Sequence, residues 1–134
     1  MTKQFLIPLI ALLNSCTALA QPTCLPPEPA MASITGTLKR MTFPGRPNYE
    51  SIKRGDEAET GFYMVLKIPI CTTTSQSEDQ LATHDVRLVQ LVLDAHGYAH
   101  LRPMLNKQVT VDGHLFTAHT GHHHAPLLLQ PATR

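Results

Sequence analysis

The chain has 134 residues, with eleven Lys and Arg, ten Asp and Glu, and eight His, which give a formal net charge of +1 at pH 7. No basic stripe is visible and aromatic residues make up only 5%, which argues against nucleic-acid binding, because that function needs clustered cations and stacking side chains. The length suits one domain with a single core.

Residues 1–20 have the pattern of a signal peptide. Lys3 precedes an apolar run over residues 5–13, and Ala18-Leu19-Ala20 matches the small-residue cleavage pattern. The run is too short for a transmembrane helix, so we expect a periplasmic or secreted protein without a transmembrane segment. In an alternative interpretation, Cys16 is acylated and becomes the first residue of a lipoprotein.

Cys24 and Cys71 remain in the exported chain under either interpretation. An even pair in an oxidising compartment predicts a disulfide between them, with free thiols or an intermolecular bridge as the alternatives. The chain-entropy relation gives about 4 kcal/mol for closing such a loop. The bond would tie a Pro-rich N-terminal arm, residues 21–32, to the domain. We expect this arm to be extended and outside any sheet or helix.

Five strand-like segments and one helix-like segment follow within residues 33–131. Strands are predicted at residues 33–43, 61–70, 85–93, 107–118 and 125–130, and a short helix or helical turn within 95–106. A change of apolar phase near Lys39 and Arg40 predicts a bulge or a strong bend. The third strand is apolar in both phases, which predicts a central position. Asn106 is expected to be left-handed where the helix ends.

This order of elements predicts a mainly β fold, a small five-stranded OB-like barrel with one short helix between strands 3 and 4. An open β-sandwich is the alternative. The long loop, residues 44–60, joins the first two predicted strands, and a histidine-rich segment joins the last two. OB folds commonly bind their ligands through these two connections.

Two motifs resemble a family of small exported bacterial domains of unknown function. They are "TFPGRPNYESIKRGDEAE" at residues 42–59 and "VTVDGHLFTAHTGHHHAPLLL" at residues 109–129, which match the patterns FPGxPNYExI…GD and GxLFxAxTGHHH. The resemblance covers nearly all of the chain after Ser33. It implies secretion and an OB-like β fold, and it brings no established activity with it.

Polar side chains in the long loop are candidate ligand-binding residues. OB folds commonly bind through this loop, and its polar residues could form a ligand pocket at the mouth of the barrel. The candidates are Arg46, Asn48, Tyr49 and Asp56, together with His114 on the fourth predicted strand. In the alternative interpretation, Pro, Gly and Asn set turns and Arg46 or Asp56 pairs locally.

Three imidazoles near the second motif are candidate metal ligands. If Thr120 and Gly121 form the centre of a two-residue hairpin turn, His119, His122 and His124 lie on one side of the hairpin, where Zn²⁺ or Cu²⁺ could bind. A three-residue turn with a left-handed Gly121 would scatter them. The imidazoles could also be structural hydrogen-bond partners. His96 and His100 form a weaker candidate pair, because the intervening glycine disfavours a helix.

The sequence contains no nucleophile in a recognisable motif, no phosphate-binding glycine loop and no zinc-protease motif. We therefore expect a non-enzymatic periplasmic or secreted binding module for a protein or cell-envelope ligand. An inhibitory or immunity-type partner of an exported toxin is one version. The alternative function is Zn or Cu binding through the histidine-rich hairpin, and we expect no other cofactor.

Overall fold

The computed structural model describes residues 23–74 and 82–132, and the predicted signal peptide lies outside them. Within the described residues the chain forms six strands and one α-helix: β1 (Thr23–Leu25), β2 (Met31–Pro44), β3 (Ala58–Thr72), β4 (Thr83–Leu91), α1 (Ala95–Leu101), β5 (Gln108–Thr117) and β6 (Leu127–Pro131). Single 3-10 turns occur at Ile52–Arg54 and Arg102–Met104. The predicted mainly β fold with one short helix is confirmed.

Five of the strands bond to one another in a ring. β2 pairs with β3, β3 with β4, β4 with β6, β6 with β5, and β5 with β2. The β4–β6 pair is parallel and the other four are antiparallel. Each of these strands has two neighbours. For β4, which corresponds to the third predicted strand, this agrees with the predicted central position. Such an arrangement leaves little unpaired edge.

β2 pairs with a different neighbouring strand in each of its halves. Its first half pairs with β5 and its second half with β3, and the exchange occurs at Thr37. Ile34 and Leu38 are buried in one phase, whereas Met41 and Phe43 are half-buried in the other. The pairings of β2 show no register shift, so the bulge predicted near Lys39 and Arg40 is absent from them.

The N-terminal arm corrects one prediction, because part of it is a strand. β1 pairs in parallel with the end of β3, where Cys24 lies opposite Cys71 and the two form the predicted disulfide. Leu25 packs against the core, and the Glu28 N–H donates to the Leu115 carbonyl at 2.9 Å. β1 has only three residues and lies next to prolines, so its sequence shows no alternation of apolar and polar residues that would predict a strand. The disulfide and the burial of Leu25 hold it in place.

The interior of the ring is filled by aliphatic side chains. Those with no exposed surface are Leu38, Met64, Val89, Leu115, Leu127 and Leu129. Helix α1 packs on this core through Leu101 and through Tyr98, whose ring meets Phe62 edge-to-face at 4.9 Å. Asn106 has φ 65°, the predicted left-handed conformation, and its N–H donates to the Leu38 carbonyl at 2.7 Å.

The described part of the chain contains no helix whose length and apolar character would let it span a bilayer. The Cys24–Cys71 disulfide is compatible with an oxidising compartment outside the cytoplasm.

Replacement of a core leucine provides a test of this packing. Leu129→Ala should lower the free energy of unfolding by about 2–5 kcal/mol, because truncation of a fully buried leucine leaves a cavity. Ile68→Ala is the matched control. Ile68 is 53% exposed on β3, so we expect a loss below about 0.5 kcal/mol. Urea unfolding followed by circular dichroism measures both, and equal losses would contradict this assignment of the core.

Candidate functional site

The connection between β5 and β6 is a histidine tip, residues 118–126, and not a two-residue turn. The last pair between these strands is Thr117 with Leu127. Within the histidine tip, the His123 N–H donates to the Thr120 carbonyl at 3.1 Å and the Ala118 N–H donates to the Pro126 carbonyl at 3.2 Å. The hairpin geometry assumed for the three candidate metal ligands is therefore wrong, because strand alternation does not extend to them.

The long loop is organised around the carboxylate of Asp56. Its Oδ2 accepts the N–H groups of Glu50 and Ser51, both at 2.8 Å, and its Oδ1 accepts the N–H of Asn48 at 3.0 Å and its side-chain amide at 3.2 Å. Asp56 is buried despite its charge. The N–H groups of Ser51 and Glu50 lower the pKa of this carboxyl most, since they bond to the ionised form.

Tyr49 lies between the backbone groups that Asp56 binds. Its φ of 58° is in the left-handed region, which a bulky residue rarely adopts unless its surroundings impose it. Bonds from Asp56 to the residues on both sides supply that constraint. The conformation places the Tyr49 hydroxyl 3.3 Å from Nε2 of His122, with the two rings edge-to-face at 5.5 Å. The long loop and the histidine tip therefore meet.

Gly121 makes this contact possible. A Cβ atom at this position would lie 2.6 Å from Cζ of Tyr49, well inside van der Waals contact. Glycine thus lets the backbone of the histidine tip approach the tyrosine ring closely.

A carboxylate at the start of β3 joins two imidazoles of the histidine tip. Oε1 of Glu59 accepts from His122 Nδ1 at 2.6 Å, and Oε2 accepts from His124 Nε2 at 2.7 Å. The side chain of His122 is 54% exposed, that of Glu59 23% and that of His124 9%. We call Glu59, His122 and His124 the Glu59 cluster. In this cluster the imidazole of His122 is exposed, whereas the side chains of Glu59 and His124 are largely buried.

Side chains of the neighbouring strands β2 and β4 contact the Glu59 cluster and the backbone of the histidine tip. Phe43 is the cross-strand partner of Glu59, and its ring stacks on His124 with centroids 5.1 Å apart and planes within 9°. Gln90 of β4 binds the backbone of the tip through both ends of its amide. Its Oε1 accepts the His124 N–H at 2.7 Å and its Nε2 donates to the His122 carbonyl at 3.1 Å.

The charge of Glu59 follows from two opposing effects. Partial burial alone raises the pKa of this carboxyl, but hydrogen bonds from His124 and His122 outweigh burial, so the net pKa is lowered. The carboxylate is therefore ionised at neutral pH and accepts both bonds. When the rings are neutral, these bonds place the proton of His122 on Nδ1 and that of His124 on Nε2. His122 Nε2 then accepts from the Tyr49 hydroxyl.

The other two imidazoles of the tip form a separate pair. The His119 N–H donates to Nδ1 of His123 at 3.0 Å, and His119 Nδ1 donates to the Thr117 carbonyl at 3.1 Å. Their ring centroids are 4.6 Å apart, and both rings contact Phe116. Burial and then the neighbouring imidazoles lower the pKa of His123, which favours its neutral form.

The three candidate metal ligands are consequently divided. His122 and His124 converge on Glu59, whereas His119 pairs with His123. Among the residues that the structure describes, no group of three or more His, Cys, Asp or Glu side chains is arranged to hold a metal ion.

The candidate ligand-binding residues have different surroundings. Asn48, Tyr49 and Asp56 share the network described above, and the exposed Arg46 lies 3.9 Å from the Glu57 carboxylate. His114 lies apart from them on β5, where its Nδ1 donates to the Ala30 carbonyl of the N-terminal arm at 3.2 Å.

Sequence reasoning missed Glu59, Phe43 and Gln90. Glu59 is the last residue of the first motif, but an acidic residue that closely follows Asp56 and Glu57 gives no sign of the imidazoles that it binds. Phe43 and Gln90 belong to predicted strands, and only the pairing of these strands brings them to the histidine tip.

Fold and site together define a small mainly β protein with one disulfide, in which a carboxylate joins two imidazoles where the two loops meet. Residues 88–132 match the family model of a domain of unknown function (DUF4431). This match includes the histidine tip and Gln90, whereas the first motif lies outside it. No curated protein and no solved structure matches the chain.

Asp56→Asn tests the organisation of the long loop through its pH dependence. A lowered pKa means that ionised Asp56 stabilises the folded chain above its ordinary pKa of 3.8, and that this contribution is lost as pH falls through the lower folded value. Wild type should therefore exceed the variant in stability at pH 7, and the difference should shrink towards pH 3. Urea unfolding midpoints across this range measure it. A difference independent of pH would contradict the role of the charge.

Proposed function

We propose that this chain is a non-enzymatic binding module that works in the periplasm or outside the cell. Its contact surface comprises the exposed parts of the long loop and the histidine tip around Tyr49 and His122. One observation carries the proposal: the Glu59 carboxylate accepts from both His122 and His124, which fixes the two loops relative to each other. A surface ordered before binding loses less conformational entropy when its ligand arrives.

The proposal includes an OB-like barrel as the scaffold. Its support is the ring β2-β3-β4-β6-β5 and the position of α1 between the third and fourth strands of that ring in chain order. In OB folds the loops between strands one and two and between strands four and five bind ligands. Here these connections are the long loop and the histidine tip, which contact each other through Tyr49 and Glu59.

The hydrogen bonding of His122 favours recognition over catalysis. A general base needs a free lone pair near the proton that it removes. Nε2 of the neutral ring already accepts from the Tyr49 hydroxyl, and Nδ1 donates to Glu59. Cys24 and Cys71 are joined in a disulfide, so neither supplies a thiol nucleophile. The ligand that we propose is a protein or a cell-envelope component, with an inhibitory or immunity-type role as one version.

Site-specific photo-cross-linking in the producing cells tests the contact surface. A photoreactive residue is placed at the exposed position Arg46, which is close to Tyr49 in the sequence, or at the exposed position Thr120, which is close to His122. Both positions should give the same discrete adduct. The same residue at Ile68, exposed on β3, is the control and should give none. Equal adducts from Ile68 would contradict the proposed surface, as would the absence of adducts from both loop positions.

Glu59→Gln in the same experiment tests whether the Glu59 cluster orders that surface. The glutamine amide presents a donor to one of the two imidazole N–H groups, so one hydrogen bond is lost while the size is kept. We expect the adduct yield to fall at least about threefold, as the loss of about 1 kcal/mol of preorganisation would give. Asp85→Asn is the matched control on β4, where φ is 50° and asparagine is tolerated. Equal yields from both variants would contradict the role of Glu59.

Metal binding is the second candidate, favoured by one observation. His122 Nδ1 and His124 Nε2 converge on a single carboxylate, and nitrogen with oxygen ligands suits Zn²⁺ and Cu²⁺. In the neutral rings, however, both nitrogens carry the protons that bond Glu59, and His119 lies outside this set.

Titration of the mature domain with Zn²⁺ and Cu²⁺ by calorimetry separates the two candidates. We expect no stoichiometric submicromolar binding, because a metal ion would have to displace the hydrogen bonds of the Glu59 cluster. Submicromolar binding would support the metal-binding function and contradict the binding module if it is lost when His119, His122 and His124 are replaced together by Ala. The single His119→Ala variant then shows whether the metal uses all three histidines.

A further inference from the structure

A cleft lies beside α1, among residues that the proposed function does not use. It has a volume of about 550 Å³ and lies between the segment that leads from β4 into α1 and the ends of β5 and β6. Ligand pockets commonly have volumes between about 300 and 1,000 Å³. None of the residues of the Glu59 cluster lines the cleft, so it is a second candidate site.

One wall of the cleft is a strand edge that β6 does not reach. The β5–β6 ladder ends at the pair Gly113 with Pro131, and one further bond joins the Ala132 N–H to the Asp112 carbonyl at 2.9 Å. Residues 108–111 of β5 pair with β2 only, and three of them line the cleft. The second edge of this part of β5 therefore faces the cleft.

Alternation along β5 determines which backbone groups point along that edge. In an antiparallel sheet, successive residues direct their N–H and C=O groups to opposite sides of the strand. The Asp112 carbonyl points towards β6, where it accepts from Ala132, so Thr110 directs its N–H and C=O to the same side. The hydroxyl oxygens of Thr110 and Thr35 are 2.7 Å apart, which fits a pair without backbone hydrogen bonds between β5 and β2. Within the described residues, the Thr110 N–H and C=O have no hydrogen-bond partner.

The floor of the cleft is apolar. Two of its side chains are buried and three are half-buried on the surface of the core: Leu101 and Val111, and Leu93, Met104 and Val109. On β5, Val109 and Val111 pack on the core, whereas Thr110 between them is exposed. Directly opposed residues of paired strands lie on the same face of a sheet. A chain that paired with this edge would therefore turn the side chains opposite Val109 and Val111 towards the apolar floor.

The position of the edge favours a single extended chain over a second folded copy. α1 and the segment that joins β4 to α1 form the opposite wall of the cleft, so the edge is recessed. An extended chain rises about 3.3 Å per residue, and three residues match the segment opposite residues 109–111. The sheet edge of another folded domain carries neighbouring strands, which the opposite wall would obstruct.

We propose that the cleft binds an extended peptide as a short strand, antiparallel to β5 and in line with β6. The central residue of the peptide donates its N–H to the Thr110 carbonyl and accepts the Thr110 N–H, and the apolar side chains on either side of it lie on the floor. Proteins that bind peptides at an open sheet edge gain affinity from main-chain hydrogen bonds and specificity from alternate side chains. The site is independent of the surface around Tyr49 and His122.

Three uncharged, capped tripeptides test the proposal. The first is leucyl-alanyl-leucine with an acetyl group and a C-terminal amide, the second carries a methyl group on the alanine nitrogen, and the third has serine in place of both leucines. Each is titrated into the isotopically labelled mature chain and followed by amide chemical shifts. The first should bind with a Kd on the order of 0.1–1 mM, as suits a short flexible ligand. Its shifts should concentrate in residues 92–101 and 109–112.

The other two tripeptides should bind at least about tenfold more weakly. Methylation removes the N–H that the Thr110 carbonyl accepts and places a methyl group against the strand edge. Serine removes the apolar side chains that the floor receives. The two losses have different causes, so the pair shows whether both the edge and the floor contribute.

Two substitutions of Thr110 separate its backbone from its side chain. Thr110→Pro removes the N–H that faces the cleft and no bond of the β2 ladder, a position at which strands tolerate proline. The affinity for the first tripeptide should fall at least about tenfold. Thr110→Val keeps the N–H but loses the hydroxyl that meets Thr35, and it should leave the affinity within about threefold. Glu59→Gln should also leave it unchanged, so this test and that of the contact surface can fail separately.

The end of the chain is a competing occupant of the edge. Residues 133–134 follow Ala132 and lie outside the described residues. A chain that ends at Ala132 should bind the first tripeptide within about threefold of the full mature chain. Tighter binding than this would mean that the chain's own end competes for the Thr110 edge, and it would overturn the assignment of the edge to a partner peptide.

Four further results would overturn the proposal. They are no binding of the first tripeptide at about 10 mM, equal affinity for the methylated tripeptide, shifts centred outside the cleft, and unchanged affinity in Thr110→Pro. The amide spectrum of each variant shows directly whether the fold is retained. If Thr110→Pro fails to fold, the methylated tripeptide decides the role of the edge on the unaltered chain.

Discussion

The candidate site depends on one carboxylate that accepts hydrogen bonds from two imidazoles. Glu59 lies at the start of β3, whereas His122 and His124 belong to a connection that has no ladder bonds across its middle. Hydrogen bonds to charged groups contribute about 1.5–3 kcal/mol each, and solvent screening reduces the share of the exposed His122. Two such bonds on one side chain are enough to select one conformation of the histidine tip. They also decide which nitrogen of each ring carries the proton.

The position of His122 in the Glu59 cluster depends on backbone hydrogen bonds in the long loop. Asp56 binds the N–H groups on both sides of Tyr49 and so imposes its left-handed conformation. Tyr49 then reaches His122, where only a glycine at position 121 leaves room for its ring. A local network of backbone hydrogen bonds thus determines which side chain meets the tip. Asp56 therefore positions the surface without forming part of it.

Local sequence patterns predicted the strands well and the site poorly, for a physical reason. Burial alternates along β2, so the sequence of that segment alone predicts a strand. Asn106 tolerates the left-handed conformation because of its own side chain, so its conformation is also predictable locally. The contact between Glu59 and His124 depends on how β2, β3 and β5 pair, and apolar periodicity does not specify the partner of a strand. Strand alternation extended past Thr117, where the ladder ends, predicts the wrong turn at Thr120. β1 has no apolar pattern that predicts it, because a disulfide stabilises it.

The Glu59 cluster requires more of the chain than the segment that matches the domain of unknown function. The matched segment, residues 88–132, contains His122 and His124 but lacks Glu59 and Tyr49. It also begins inside β4, and β5 needs β2 as its second neighbour. A segment in which β5 lacks β2 and β4 is truncated would expose backbone groups and half of the core, so it cannot be an independent structural unit. The folded domain must include β2 and β3, and those two strands bring Phe43 and Glu59 to His124.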